Sequence, residues 1–283
     1  MSAQQEKKGK SVRTRKRRGK SMASKRMKSF VRYFAVFFAG VISCYLLMVW
    51  PDVRERVEVN STEYRLPLKE AVIGIDISHH QGRIDWSRVE FSYEKGSGAL
   101  VEGGAAGVRP VDFVIAKATE GLDHQDRRYA EYKAECERVG IPFGAYHYFK
   151  PGVPAGDQAS NFIKSARLGT GNMIPVLDVE ERGRKTVSEL QTAVLGWLQT
   201  VENIYGVKPV VYCSLSFYEK YFRSPRFSDY RFWIAAYSRE SLGMDYVLWQ
   251  QTDRGRVRGI KEKTDIDVFN GSKADFRRTM LIR

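Results

Sequence analysis

Apolar and polar positions alternate along most of this chain in two distinct periods. Ala71–Ile77 (AVIGIDI), Val111–Ala118 (VDFVIAKA), Pro142–Phe149 (PFGAYHYF), Met173–Val179 (MIPVLDV) and Lys208–Cys213 (KPVVYC) are short apolar runs that predict strands. Between them, residues 125–139, 155–168 and 186–204 carry apolar residues near a 3.6 period, as in Tyr129, Tyr132, Cys136 and Val139, and predict helices. Gly140 and Gly206 fall just past two of these helices, where C-terminal caps belong. Strand alternating with helix argues for a parallel sheet.

The last third changes character. Arg231–Ala236, Tyr246–Gln250 and Ile266–Phe269 are apolar runs whose separations are too short for full crossover helices. The pattern predicts a barrel of about eight strands that lacks helices in its final third, smaller than a complete eight-fold α/β barrel. The glycine-rich stretch 94–110 reads as a flexible surface insertion, and its lack of a Gly-Lys-Ser/Thr ending argues against a phosphate loop.

One apolar run fits neither period. Tyr33–Trp50 is 18 residues without a charge, bracketed by Arg32 and Pro51. As a helix it would reach about 27 Å, close to the hydrocarbon thickness of a bilayer. A transmembrane helix over 33–50 is the reading adopted. A cleaved signal peptide and lipid attachment at Cys44 (Val41-Ile42-Ser43-Cys44) stay open as alternatives. The division that follows is a basic tail over 1–32, expected to be disordered, the span over 33–50, a linker over 51–69 and a barrel domain over 70–283.

Charge supports that division. The net charge is +14, but residues 1–32 carry 13 of the 47 Lys/Arg and one of the 33 acids, a net +12. The rest of the chain is therefore nearly neutral, which removes the main argument for nucleic-acid binding by the folded part. Basic residues ahead of the span place the N-terminus in the cytoplasm and the barrel domain outside it, on a bacterial cytoplasmic membrane. Tail and span would be the contacts with membrane lipid. Cys136 and Cys213 lack CxxC or Cys/His spacing; unpaired core thiols are favoured, with a disulfide left open. None of the four histidines has metal-site spacing, so neither metal nor cofactor is expected.

Acids recur at the predicted strand ends. In Asp178-Val179-Glu180, period-2 alternation puts both carboxylates on one face, with backbone positions about 6–7 Å apart. Two such groups cannot both ionise cheaply, so one is held protonated, as a general acid must be. Asp76 interrupts an apolar strand, and Asp265 and Asp267 repeat the period-2 spacing near the last strand. Aromatic residues crowd the same ends: Tyr146, His147, Tyr148 and Phe149, then Trp233, Tyr237 and Trp249. Such rings stack on the apolar faces of sugars. Taken singly, each of these residues could equally be structural.

Eight segments resemble glycoside hydrolase family 25, the muramidase-type lysozymes. They are GIDISHHQGRIDW (74–86), FVIAKATEG (113–121), GIPFGAYHYF (140–149), IPVLDVE (174–180), PVVYCS (209–214), FWIAAY (232–237), LWQQT (248–252) and TDIDVFNG (264–271), in the family's order. The resemblance implies an irregular, TIM-like α/β barrel of five β/α units and three closing strands. It also implies cleavage of the β-1,4 bond between N-acetylmuramic acid and N-acetylglucosamine in peptidoglycan. Glu180 would be the general acid/base, with Asp178, Asp76 and Asp265 completing an acidic floor. Tyr146, His147, Tyr148, Lys117, Trp233, Tyr237, Trp249, Gln250 and Asp267 are expected to contact substrate. Asp267 stands where the family usually has Asn, and Gln251 where an aromatic residue is common.

One strand bearing a D-x-E pair offers no carboxylate across the sugar from the acid. The expected nucleophile is therefore the substrate's own 2-acetamido oxygen, with retention at the anomeric carbon. The competing expectation is a peptidoglycan-binding membrane protein without turnover; a retained proton donor favours the enzyme.

Overall fold

The computed structural model describes residues 71–94, 107–237, 239 and 241–283. All lie in one unit, Thr62–Arg283, of the two into which the chain divides. The expected tail, membrane span and linker lie outside the described residues. Among the described residues, no helix is long and apolar enough to cross a membrane.

Eight strands close on themselves. They are β1 (Val72–Ile77), β4 (Phe113–Glu120), β6 (Phe143–Tyr148), β7 (Val176–Asp178), β8 (Val210–Ser214), β9 (Arg231–Ala235), β10 (Leu248–Gly255) and β11 (Thr264–Phe269). Each pairs with the next in that order, and β1 pairs with both β4 and β11, which closes the barrel. All pairings among these eight are parallel except the two made by β11, and the two-residue β5 (His124–Gln125) pairs antiparallel with the end of β4. The reversed strand matters for the site. β11 starts at the rim where the parallel strands end, so its second residue, Asp265, sits directly opposite Asp76.

Helices follow the middle strands. α1 (Tyr129–Val139), α2 (Ala155–Ala166) and α3 (Val187–Tyr205) cover the β4, β6 and β7 crossovers. Gly140 and Gly206 end α1 and α3 with φ of 76° and 69°, a left-handed conformation that glycine adopts without a Cβ penalty. At its start, α3 is held by a capping box between Thr186 and Glu189. The β8–β9 crossover holds only a short helical turn, α4 (Leu215–Phe217), that runs into a π turn over Tyr218–Phe222. The last helix, α5 (Lys273–Thr279), follows β11. Among the described residues no helix lies between β9, β10 and β11, as the sequence pattern predicts, but α5 departs from the expectation of a final third without helices.

The first crossover departs from the expected β/α unit. Its described residues form two 3-10 turns (His79–Gln81 and Trp86–Arg88) and an antiparallel hairpin of β2 (Glu90–Tyr93) with β3 (Gly107–Pro110). The tail end of the glycine-rich insertion is thus part of a strand. Beneath the site the barrel is filled by packed rings: Phe113 stacks on Phe276 of α5 at 5.2 Å. Gly74 makes room for this plug, because a Cβ there would come within 2.3 Å of the Phe113 ring. Cys136 and Cys213 are both buried and unpaired.

Candidate active site

Alternation along the strands decides what faces the barrel interior. At the C-terminal mouth it opens a cleft of about 290 Å³ whose lining includes Asp76, Asp178, Glu180, Asp265, Tyr146 and Tyr148. Lys117, Trp233, Tyr237 and Gln250 complete the group of expected residues found there. Ten of the thirteen sequence-selected residues therefore meet in one cleft.

Three do not. His147 lies between Tyr146 and Tyr148 on β6, so its side chain points outward to the helices and is fully buried there. Its Nδ1 lies 2.7 Å from Thr119 Oγ1, its Nε2 faces Gln158 Oε1 at 3.1 Å, and its ring stacks on Trp197. Burial pushes it down to about 4, so it is a neutral core histidine. Trp249 points outward for the same reason, its Nε1 donating to Ala236 O at 2.8 Å. Asp267 faces inward but one layer below the cleft, fully buried, where Trp233 Nε1 donates to its Oδ1 at 2.9 Å. Ser78, His80, Tyr212 and Asp253 line the cleft without having been singled out. For Tyr212 a signal existed, since Val210, Tyr212 and Ser214 share one face of PVVYCS.

Glu180 stands exposed at the rim, two residues beyond the buried Asp178. Its carboxyl is pushed up by burial against the barrel side, opposed by the Tyr148 hydroxyl and the Lys117 charge. Tyr148 donates to Glu180 Oε2 across 3.4 Å. Two cations lie over the Tyr148 ring, Lys117 Nζ at 5.0 Å and Lys150 Nζ at 4.6 Å from its centroid. Those lysines converge on Glu120, with Nζ–Oε distances of 2.5 and 3.1 Å. Neither Glu120 nor Lys150 stood out in the sequence, yet both hold the ring that touches Glu180.

Asp178 ends β7 and is almost completely buried. Its carboxyl is pushed well up, first by burial and then by the charges of Glu180 and Asp76. Loss of water, more than the carboxylate repulsion expected from sequence, is thus the larger cause. Asp178 Oδ1 has no hydrogen-bond partner among the described residues. A buried acceptor left without a donor costs about 1–3 kcal/mol, and such an atom on a cleft wall is suited to a ligand's N–H or O–H.

Opposite this wall, Gln250 organises the floor. Its Nε2 donates to Asp76 Oδ2 at 2.7 Å, and its Oε1 accepts from Tyr212 and Tyr237 at 2.8 and 2.9 Å. Asp76 is pushed well up by burial and by the Asp267 charge, and Asp265 is pushed up to about 9 by burial and by Asp76. Among the described residues, no group of His, Cys, Asp and Glu is arranged to hold a metal ion.

A barrel mouth with one carboxyl at the rim, another sunk beside it and rings around both is the site of a glycoside hydrolase. The comparisons agree: residues 75–260 match the model for glycosyl hydrolases family 25, and the chain belongs to that family. It is 36% identical over 217 residues to uncharacterized protein YegX of Escherichia coli K12, covering 76% of this chain and 75% of that one. Lysozyme M1 of Streptomyces globisporus is 27% identical over 220 residues, 72% of this chain and 69% of the relative. The fold is that of the bacterial lysozyme from Streptomyces coelicolor, with a TM-score of 0.63 at 24% identity over 75% of this chain and 97% of the other.

Proposed function

We propose that this protein is a membrane-anchored N-acetylmuramidase that hydrolyses the β-1,4 bond between N-acetylmuramic acid and N-acetylglucosamine in peptidoglycan. The observation that carries this reading is the buried, unpartnered Oδ1 of Asp178 beside the rim carboxyl of Glu180. An N-acetyl sugar seated in the cleft supplies what Asp178 lacks, an acetamido N–H. The lysozyme names of two of the curated relatives support the same substrate class.

In this mechanism Glu180 protonates the leaving glycosidic oxygen while the acetamido oxygen attacks the anomeric carbon from the opposite face. Asp178 accepts the acetamido N–H and stabilises the positive charge of the oxazolinium ion. Glu180, now a carboxylate, takes a proton from water, which opens the ring with net retention. In the free site Asp178 is held up more strongly than Glu180, the reverse of what this step needs. Substrate corrects the order: an N–H donated to Asp178 favours its charged form, and a sugar covering Glu180 strips away its water. The apparent pKa values then belong to the cluster of acids as a whole. Asp76 and Asp265 orient the sugar, and the cleft's rings stack on it.

The apolar span over 33–50 and the basic tail ahead of it support a single-pass anchor in the bacterial cytoplasmic membrane, with the barrel outside the cytoplasm. Reporter fusions at residue 60 and at the C-terminus test this: activity of an exported reporter supports it, and activity of a cytoplasm-only reporter contradicts it. A mature N-terminus carrying lipid at Cys44 would replace the helix by a lipid anchor.

The purified full-length chain should clear a suspension of peptidoglycan and create new reducing ends that are N-acetylmuramic acid. Binding to the wall without new reducing ends would make it a peptidoglycan-binding protein instead.

A further inference from the structure

Beyond the rim a second groove opens at the same mouth of the barrel. It has a volume of about 560 Å³ and lies between the loop after β6 and the loop after β7. Its lining includes Lys150, Glu181, Arg184, Lys185 and Glu189, and no aromatic residue. Cleft and groove share a wall. Tyr148 and Glu180 line the cleft, and Lys150 and Glu181, close behind them in the chain, line the groove. Lys150 Nζ lies 4.6 Å from the centroid of the Tyr148 ring and 3.1 Å from Glu181 Oε1. A substituent on a sugar held at Glu180 has only this ridge to pass.

The loop after β7 reads Glu181-Arg182-Gly183-Arg184-Lys185, three bases in four residues, in a part of the chain that is nearly neutral as a whole. Local structure holds it in place. Gly183 takes a φ of 58°, and a Cβ there would come within 3.3 Å of Pro151, so the two loops pack closely. Arg182 folds back on its own loop, its Nη1 donating to Lys185 O at 2.5 Å. The capping box of Thr186 and Glu189 fixes the other end. Both acids of the groove are engaged. Glu181 pairs with Lys150, and Glu189 Oε2 accepts from the Thr186 N–H and hydroxyl at 2.7 and 2.8 Å. Arg184 is exposed and Lys185 half-buried, and among the described residues neither makes an ion pair. Lys185 reaches Glu189 only through its field, which helps to lower that carboxyl. The groove thus presents two uncommitted cations beside the rim carboxyl.

We propose that this groove binds the peptide stem of the substrate, with Arg184 and Lys185 holding its carboxylates. The lactyl arm of N-acetylmuramic acid carries a short peptide with free carboxylates, whereas N-acetylglucosamine is neutral. A neutral sugar is met best by rings, which this groove lacks; a carboxylate is met best by a guanidinium fork and an ammonium, which it has. The acids of the cleft disfavour carboxylates there, which leaves the groove as the favourable place for them. The inference rests on the proposed function in that the sugar held at Glu180 is N-acetylmuramic acid.

The probes are soluble glycan chains with their peptide stems, and the same chains after an amidase has removed the stems and left only the lactyl carboxylate. The full-length wild type in detergent should cut the stem-bearing chains with the lower KM and a similar kcat, since binding remote from the reacting bond acts on KM. Arg184→Glu combined with Lys185→Glu should raise KM on stem-bearing chains by about tenfold and change it on stripped chains by less than about twofold. Arg184→Ala, a single change at an exposed residue, should act in the same direction by about threefold and serves if the double variant does not fold. Equal KM on the two chains in the wild type, or a preference that survives Arg184→Ala undiminished, overturns the proposal. Calorimetric titration with the same chains separates this result from the proposed function. A wild type that cuts neither chain but binds the stem-bearing one more tightly, and loses that margin in Arg184→Ala, contradicts the muramidase reading and supports the groove. Equal binding of both chains overturns the groove whatever the turnover.

Discussion

The Tyr148 hydroxyl donates to the Glu180 carboxyl at 3.4 Å, and the Tyr148 ring lies under the ammonium groups of Lys117 and Lys150. The proton donor at the rim is thus steered by a ring that two cations and Glu120 lock in place. A hydrogen bond to the charged form favours that form, so this hydroxyl opposes the upward push that burial exerts on Glu180. Tyr148→Phe should let Glu180 stay protonated to higher pH. The alkaline limb of kcat/KM should move up, with a loss of less than about tenfold at the optimum, because general acid catalysis itself is kept. A limb that moves down, or not at all, would contradict the link.

Glu180→Gln keeps the shape of the side chain and removes its titratable proton. General acid–base catalysis contributes about 10²–10⁴-fold, so turnover of peptidoglycan should fall by at least that range. The thermal midpoint should stay near the wild type, since Glu180 is exposed and, among the described residues, its hydrogen-bond partner is the Tyr148 hydroxyl. Asp178→Asn should cost less, because its amide oxygen still accepts the acetamido N–H. Near wild-type turnover in Glu180→Gln would remove Glu180 from the chemistry.

Gln250 joins Asp76 to two tyrosines through three hydrogen bonds of 2.7 to 2.9 Å. Gln250→Ala strands those groups, at about 1–3 kcal/mol for each one left buried without a partner. The denaturation midpoint should fall measurably and activity should fall with it. A variant as stable as the wild type would mean that water replaces the amide freely.

Stability should depend on pH with a definite sign. The Asp265 carboxyl is raised to about 9 in the folded state, and Asp76, Asp178 and Asp267 are raised in the same direction. A raised carboxyl binds its proton more tightly in the folded than in the unfolded state. Its contribution is complete below the ordinary aspartate value of about 4 and is lost as pH rises toward the folded value. Thermal midpoints should therefore decline as pH is raised from mildly acidic toward about 9. Asp265→Asn should flatten that decline, and a midpoint that rises over the same interval would contradict the burial of these acids in protonated form.

Much of this was legible in the sequence because the barrel is built from two simple periods. The strands at 72–77, 113–120, 143–148 and 210–214 lie within about two residues of their apolar runs, and the capping glycines mark the ends of α1 and α3. The same alternation placed Asp178 beside Glu180. Applied to β6 it also separates His147 from Tyr146 and Tyr148, since neighbours on a strand cannot share a face. Reading that segment by its aromatic content alone put His147 in the cleft. Trp249, next to Gln250, fails for the same reason. Asp267 was on the correct face, but a period-2 pattern carries no information about depth, and the position lies one layer below the cleft. The β2–β3 hairpin was hidden because glycine-rich sequence masks a strand whose pairing comes from a distant segment.

Whether Asp178 and Glu180 work through the acetamido group of the substrate is decided most directly by the anomer that forms first. Nuclear magnetic resonance of the earliest products, recorded before mutarotation, should show the β anomer at the new N-acetylmuramic acid end, with no sugar ester on the protein. Initial formation of the α anomer would mean inversion, and a trapped ester on Asp178 or Asp76 would mean a protein nucleophile; either result would contradict the mechanism.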